Sequence, residues 1–306
     1  MHVFYQIEFK LHKSFLYLYL SLSDFALLTS FLIMKNRKGN IMPYRNYKLP
    51  DNDLEIACEA KHFIPYFQPF VTQRGCLCGV EILSRWFHPV YDIISPSLYM
   101  PAIREAGLSE KFTLCLMEQI HQVMEPSLAL IRDDFSISFN LDSSACSFEL
   151  QKFIFDEMLP SFGSKPVSFI CELTEHESWL NHSEKLKLIK QFKDNGVQLA
   201  IDDFGTGFAN LDLLNEIRPD IIKIGSSFVS RMTEGKETWI VPEIVLNIAQ
   251  GLGIQVIAEG VETKWQWEWL KSRNVRLFQG YYFSCPVDGD KLHGMLTSGS
   301  GLFVKS

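Results

Sequence analysis

The chain has 306 residues, 47% of them hydrophobic, and a formal net charge of −7. That is enough apolar material for a sizeable core. The acidic balance excludes a surface for wrapping long nucleic acid, which needs a basic face, but leaves room for a small anionic ligand held by a few basic residues or by metal. The seven cysteines (Cys58, Cys76, Cys78, Cys115, Cys146, Cys171 and Cys285) are odd in number and scattered. Without paired CxxC sets they argue against zinc and read as the reduced thiols of a cytosolic domain.

Residues 14–34 are mostly apolar and long enough to span a bilayer as one helix. Asp24, near the middle, would cost about 3 kcal/mol on an insertion scale. Lys35, Arg37 and Lys38 follow at once. By the positive-inside rule they would leave the C-terminal side in the cytoplasm, anchored to the inner membrane. A cleavable signal peptide fits less well, because the centre is acidic and a small-residue cleavage site is lacking. The alternative is that residues 1–42 are not part of the natural product, since Met34 and Met42 stand just ahead of the globular part. Residues 43–306 are the catalytic-size domain.

After a polar lead-in from Arg45 to Glu59, a rhythm begins. Strands are predicted over Tyr66–Val71 and Cys78–Leu83, joined by the turn Gln73-Arg74-Gly75 as a hairpin. Helices follow over Pro96–Ala106 and Glu110–Met124, with Pro126 as a stop. Then strand and helix alternate. Phe135–Leu141 precedes helix Phe148–Leu159, Val167–Leu173 precedes Ser183–Phe192, and Gln198–Asp202 precedes the short Ala209–Asn215. Ile221–Ile224 precedes Glu237–Gln250, Ile254–Ala258 precedes Lys264–Lys271, and Leu277–Phe278 precedes Gly289–Met295. Such alternation implies parallel pairing through right-handed crossovers. About eight units in roughly 260 residues favour a TIM-like (β/α)8 barrel of the α/β class over an open, doubly wound sheet. A dinucleotide fold has little support, because no GxGxxG follows the first strand.

The stretch Leu199-Ala200-Ile201-Asp202-Asp203-Phe204-Gly205-Thr206-Gly207 organises the rest. A buried strand ends in two adjacent carboxylates and a glycine-rich turn. A single Asp there would read as a helix cap, but two acids at a buried strand end are costly unless a cation relieves them. The other strands end alike. Glu81 lies in the second strand, and Asn140 ends Ser-Phe-Asn. Glu172 ends Phe-Ile-Cys-Glu, with Glu175 three residues on. Lys223 follows Ile221-Ile222, Glu259 follows Ile257-Ala258, and Gln279 follows Leu277-Phe278. In an α/β barrel these ends converge on one face, where active sites are built. Taken singly, each has a plainer reading as an edge charge, turn former, helix-start acid, structural counter-charge or backbone binder. One shared site accounts for all of them together.

Carboxylates and an amide oxygen are hard donors, and no thiolate or histidine joins them. That suits Mg²⁺ or Mn²⁺. Four or five acids exceed the need of one ion, so two ions could clamp the attacking and leaving oxygens of a phosphoester, with Asp202 as the bridge. Lys223 would stabilise phosphate charge or help activate water. Arg85, four residues after Glu81, could grip a phosphate oxygen or sit in a surface ion pair.

With these residues in hand, residues 60–290 resemble the EAL family of cyclic di-GMP phosphodiesterases. Phe67-Gln68-Pro69 resembles its opening strand, and Glu81-Ile82-Leu83-Ser84-Arg85-Trp86 its signature, followed by His88-Pro89. Glu172-Leu173-Thr174-Glu175, Asp202 to Gly207, Ala258-Glu259-Gly260-Val261-Glu262-Thr263 and Gln279-Gly280-Tyr281-Tyr282-Phe283 with Pro286 complete the set in order. The resemblance implies a barrel whose first strand is antiparallel. It implies metal ligation by Glu81, Asn140, Glu172, Asp202 and Asp203, with Glu259 close to the metals or the attacking water. Lys223 would assist the water, and Gln279, Gln68 and Arg85 would serve the site and substrate. Glu175 would hold the loop after Asp203, which helps assemble the second metal site and a homodimer near Asp203 to Asn215. The implied reaction is hydrolysis of cyclic di-GMP to linear pGpG, in biofilm or motility control.

Three departures stand out. Ile82 replaces an alanine, Asp142 stands where serine is usual, and Gly225 stands where Lys-Ile-Asp would place its acid. The third leaves a partner near Lys223 missing. A sensor that binds cyclic di-GMP without cleaving it, and a regulator working through protein contacts, are the competing functions. Asp203-Phe204-Gly205 is similar to a kinase magnesium loop, but no glycine-rich nucleotide loop or His-Arg-Asp accompanies it.

Overall fold

Strands rich in β-branched and aromatic residues build the centre of the molecule. The structure, a computed structural model, describes residues 5–11, 14–20, 34–35, 41–42 and 51–298, apart from 90, 133–134, 164, 166, 175–178, 180–182, 207–210 and 236–238. The strands of the main sheet are β1 (Phe63–Thr72), β2 (Leu77–His88), β3 (Asp92–Ile94), β4 (Ser136–Leu141), β5 (Ser168–Thr174), β6 (Gln198–Phe204), β7 (Ile221–Ile224), β8 (Gln255–Ala258) and β9 (Leu277–Phe278). Eight of them close a barrel in the order β1-β2-β4-β5-β6-β7-β8-β9, with β9 returning to β1, while β3 flanks β2. Strand β1 runs antiparallel to β2 and β9. The remaining barrel neighbours are parallel. The expected barrel with an antiparallel first strand is therefore the fold observed.

Around it lie α1 (Asp51–Glu59), α2 (Pro96–Glu105), α3 (Ser109–Met124), α4 (Phe148–Phe153), α5 (Ser183–Asp194), α6 (Leu211–Ile217), α7 (Ser226–Val229), α8 (Ile240–Leu252), α9 (Lys264–Lys271) and α10 (Gly289–Thr297). Local chemistry sets several of their ends. Thr263 and Gln266 form a reciprocal capping box on α9, and Gly253 ends α8 in the left-handed region at φ 69°.

Because successive strand residues face opposite ways, each strand serves two environments. Phe139, Leu141, Cys171, Leu173, Leu199, Ile201, Ile222, Ile224, Ala258 and Phe278 belong to the main core, shared with the helices. Ile170, Ala200, Ile221 and Ile257, with Leu277 against them, form a separate cluster inside the barrel. Two residues further along the same strands come Glu172, Asp202, Lys223, Glu259 and Gln279.

Some elements differ from the sequence expectation. Residues Asp51–Glu59, read as a lead-in, form a helix that buries Leu54, Ala57 and Cys58. Strand β2 continues past Leu83 to His88 because Trp86, Phe87 and His88 pair with β3, a strand the sequence reading did not foresee. The helix expected over Phe148–Leu159 widens into a π turn at Ile154–Met158. In the apolar window 14–34, Ser14–Leu20 is a strand paired antiparallel with Tyr5–Leu11. Its alternating Leu and Tyr residues match the strand period. Residues 21–33 lie outside the described residues. Among the described residues no helix is long and apolar enough to cross a membrane.

Candidate active site

Lys223 is the centre of the site. It is 1% exposed, and an unpaired ammonium at such a position would be strongly unfavourable. Four strands answer it. Its Nζ lies 2.5 Å from Glu172 Oε2, 2.6 Å from Glu259 Oε1, 3.3 Å from Glu81 Oε2 and 3.4 Å from Asp202 Oδ1. Register explains the convergence. Asn140 stands opposite Glu172 across the β4–β5 pair, and Gln68 opposite Glu81 across the β1–β2 pair. The Asn140 amide donates to Glu81 Oε1 at 3.0 Å, and the Gln279 amide to Glu81 Oε2 at 2.7 Å. Glu81, Asn140, Glu172, Asp202, Lys223, Glu259 and Gln279 thus meet in one place.

The electrostatics are those of too many acids for one cation. Burial pushes the Glu172 carboxyl up to about 8, helped by the neighbouring Glu81 and Asp202 and opposed by Lys223. Glu259 moves the same way, burial acting first and the other acids adding to it against Lys223. For Glu81 burial also acts upward, but Lys223 and the hydrogen bonds from Gln279, Asn140 and Lys223 outweigh it and hold the carboxyl below its ordinary value. The Lys223 ammonium is pushed well above its usual value, since the surrounding carboxylates overcome the burial that opposes its charge.

Asp203 sits at the edge of this group. Its backbone is left-handed at φ 52°, which turns its side chain to the same end of the strand as Asp202 despite their adjacency. Carboxylate oxygens of Asp202, Asp203 and Glu259 lie within 4.8 Å of one another, a spacing that can hold a metal ion. Two further observations fit a hard cation. Glu172 Oε1 and Gln279 Oε1 are buried and have no hydrogen-bond partner. The donors are all carboxylate or amide oxygens, the set that hard divalent ions prefer.

A cavity of about 370 Å³ opens on this cluster, lined by Gln68, Glu81, Asp202, Glu259, Glu262 and Tyr281 among others. Arg85 is not among its lining residues. Its guanidinium donates to the Ser84 carbonyl at 2.9 Å and stands 5.6 Å from the Tyr66 ring centroid. Glu175 lies outside the described residues. Sequence reasoning gave no role to Glu262 or Tyr281. Both follow polar strand-end residues, Glu259 by three and Gln279 by two, and that offset was the available signal. Burial raises the Glu262 carboxyl.

Two departures find physical accounts. Ile82 is 3% exposed and belongs to the main core, on the opposite face of β2 from Glu81. The Asp142 carboxylate accepts from Arg104 Nε and from the Ser144 backbone N–H, the latter at 2.8 Å.

The sequence signature of the EAL domain matches residues 51–286. The chain belongs to the EAL-domain family. It is 35% identical over 243 residues to the probable cyclic di-GMP phosphodiesterase PdeG of Escherichia coli (strain K12), covering 78% of this chain and 47% of PdeG. It is 31% identical over 242 residues to the cyclic di-GMP phosphodiesterase PdeL of the same organism, covering 78% of this chain and 66% of PdeL. The chain therefore spans about half to two thirds of these relatives. Among solved structures, the phosphodiesterase PaMucR in complex with c-di-GMP superposes with a TM-score of 0.68 at 25% identity, covering 79% of this chain and 98% of that one. As an EAL domain, this chain carries its strand-end acids where the barrel architecture concentrates chemistry.

Proposed function

We propose that this EAL domain hydrolyses cyclic di-GMP to linear pGpG in a metal-dependent reaction. The observation that carries the reading is the convergence of Glu81, Glu172, Asp202 and Glu259, from four strands, on the single buried Lys223. Glu81, Asn140, Glu172, Asp202, Asp203 and Glu259 would hold Mg²⁺ or Mn²⁺, as two ions. Such ions, when bound, lower the pKa of water and neutralise charge on a phosphodiester.

The chain's own residues do the rest. Lys223 holds four carboxylates at one point, and it would stabilise phosphate charge or help activate the water. Asn140 and Gln279 clamp both oxygens of Glu81 and fix its orientation. Glu259 lines the cavity, where its Oε atoms could accept a proton from water. Gln68 and Tyr281, on the cavity wall, would face the nucleotide, and Arg85 would grip a phosphate oxygen. A homodimer is part of the same reading. Leu211, Ile240 and Ile244, on α6 and α8, are exposed large apolar side chains beyond the Asp203 turn.

The test is incubation of the full chain with cyclic di-GMP and Mg²⁺ or Mn²⁺, with chromatographic separation of products. We expect pGpG, stopped by a chelator. Nucleotide that binds but is recovered intact would replace hydrolysis with a sensor role. Neither binding nor turnover would leave a regulator acting through protein contacts.

A further inference from the structure

At the end of the barrel away from the acidic cluster, where β8 and β9 begin and β1 ends, lies a cavity of about 380 Å³. It matches the cavity over the cluster in size and falls in the range of about 300–1,000 Å³ usual for small-molecule sites. Leu246, Ile254, Val256 and Val275 give it an apolar floor. Its polar side chains are Gln250 from α8, Gln255 from β8, and Arg273, Asn274 and Arg276 from the connection between α9 and β9. Among the described residues, no carboxylate lines it.

Loops at this face of a barrel ordinarily serve stability. Here the backbone closes both helix ends by itself. Gly253 N–H donates to the Gln250 carbonyl at 3.2 Å and Ile254 N–H to the Ala249 carbonyl at 2.8 Å, which ends α8. Asn274 N–H donates to the Lys271 carbonyl at 3.0 Å and Val275 N–H to the Leu270 carbonyl at 3.2 Å, which ends α9. These carbonyls would otherwise repel an anion. The side chains are left over. Among the described residues, those of Gln250, Gln255, Asn274 and Arg276 have no hydrogen-bond or ion-pair partner.

Arg273 is fixed in advance. Its Cζ stands 3.5 Å from the Trp269 ring centroid, its Nε donates to Glu243 Oε2 at 2.6 Å, and its Nη1 donates to Ser272 Oγ at 3.1 Å. Glu243 offsets its charge, so Arg276 supplies the net positive charge of the cavity. A guanidinium presents forked donors that suit a phosphate, and the amides can bond either donors or acceptors of a neighbouring group.

We propose that this cavity is a second ligand site, which takes a small organic phosphate. Arg276 and Arg273 hold the phosphate, the amides orient the molecule, and the apolar floor takes its heterocyclic body. The site is independent of the metal-dependent reading, since Gln255 opens β8 while Glu259 follows its last residue.

The experiment is isothermal titration of the full chain with adenosine 5′-monophosphate, adenosine and inorganic phosphate. A chelator is present, so that the acidic cluster cannot hold phosphate through a metal. We expect the monophosphate to bind, adenosine and inorganic phosphate to bind at least about tenfold more weakly, and added salt to weaken all phosphate binding. Arg276→Ala should weaken monophosphate binding about tenfold or more, with Arg276→Lys recovering part of the loss through its charge. Arg276 is exposed, so thermal melting should be unchanged. Asn274 has a left-handed backbone at φ 63°, so Asn274→Gly removes the amide without straining the loop and should weaken binding severalfold. Tyr281→Ala, in the other cavity, should bind like the parent. No binding of the monophosphate at millimolar concentration would overturn the proposal, as would parent-like binding by Arg276→Ala. Loss of binding in Tyr281→Ala but not in Arg276→Ala would place the nucleotide in the catalytic cavity and overturn it too. Inorganic phosphate binding as tightly as the monophosphate would overturn the assignment to an organic ligand.

Discussion

Two layers fill the inside of the barrel, and five strands contribute to both. The lower layer is Ile170, Ala200, Ile221 and Ile257 with Leu277. The upper layer, two residues later on each strand, is Glu172, Asp202, Lys223, Glu259 and Gln279. Backbone, twist and neighbours are shared, so the change from apolar to charged reflects what each layer must do. The lower layer closes the barrel by excluding water, whereas the upper one concentrates three carboxylates, joined by Glu81 of β2, on one ammonium and keeps them there. The lower layer also makes the upper one possible, since the apolar floor removes solvent from beneath Lys223 and strengthens every charge interaction above it.

The comparison can be broken at either layer. The largest expected effect is in the upper one. Asp202→Asn should reduce turnover of cyclic di-GMP by more than about a hundredfold while leaving the melting temperature near that of the parent, measured by product chromatography and calorimetry. The pH dependence comes next. The Glu172 carboxyl rises from 4.5 to about 8 in the folded chain, and Glu259 rises with it. Between those values the unfolded chain has lost protons that the folded one keeps. Metal-free protein should therefore lose stability as pH rises from about 4.5 to 8, by roughly 3–5 kcal/mol. Denaturant titrations at several pH values should show this slope, and Glu172→Gln should flatten it. Glu81 is depressed, so its stabilisation is present above its ordinary value and is lost on acidification.

Effects on the apolar side are smaller and spare the chemistry. Ile221→Ala should cost about 3 kcal/mol in urea unfolding, with turnover per folded molecule retained within a few-fold. Ile82→Ala, on the helix-facing side of β2, should cost about 2 kcal/mol and leave Mn²⁺ affinity unchanged. It already borders a cavity of about 220 Å³. Arg104→Ala should cost less than about 1 kcal/mol, because the Arg104 side chain is 49% exposed where it meets Asp142.

The upper layer was legible in the sequence because each strand is an apolar run that stops at a polar residue. Glu172, Asp202, Lys223, Glu259 and Gln279 all announce themselves this way, and alternation with helices implied the parallel barrel that assembles them. The lower layer was not separable. Ile170 and Cys171 look alike in a continuous apolar run, and only register decides which faces inward. Strand β3 was missed because Asp92–Ile94 is too short to carry a period and is defined by its pairing to Trp86–His88. Arg85 stands beside the ring of Tyr66, a cross-strand neighbour that sequence spacing does not report.

The most direct test sets the two layers side by side. Turnover of cyclic di-GMP with Mn²⁺ would be measured for the parent, Asp202→Asn and Ile221→Ala under conditions where all three are folded. The account predicts pGpG from the parent and from Ile221→Ala, and none above background from Asp202→Asn. Turnover by Asp202→Asn at the parental rate would contradict it, because the upper layer would then not be where the reaction occurs.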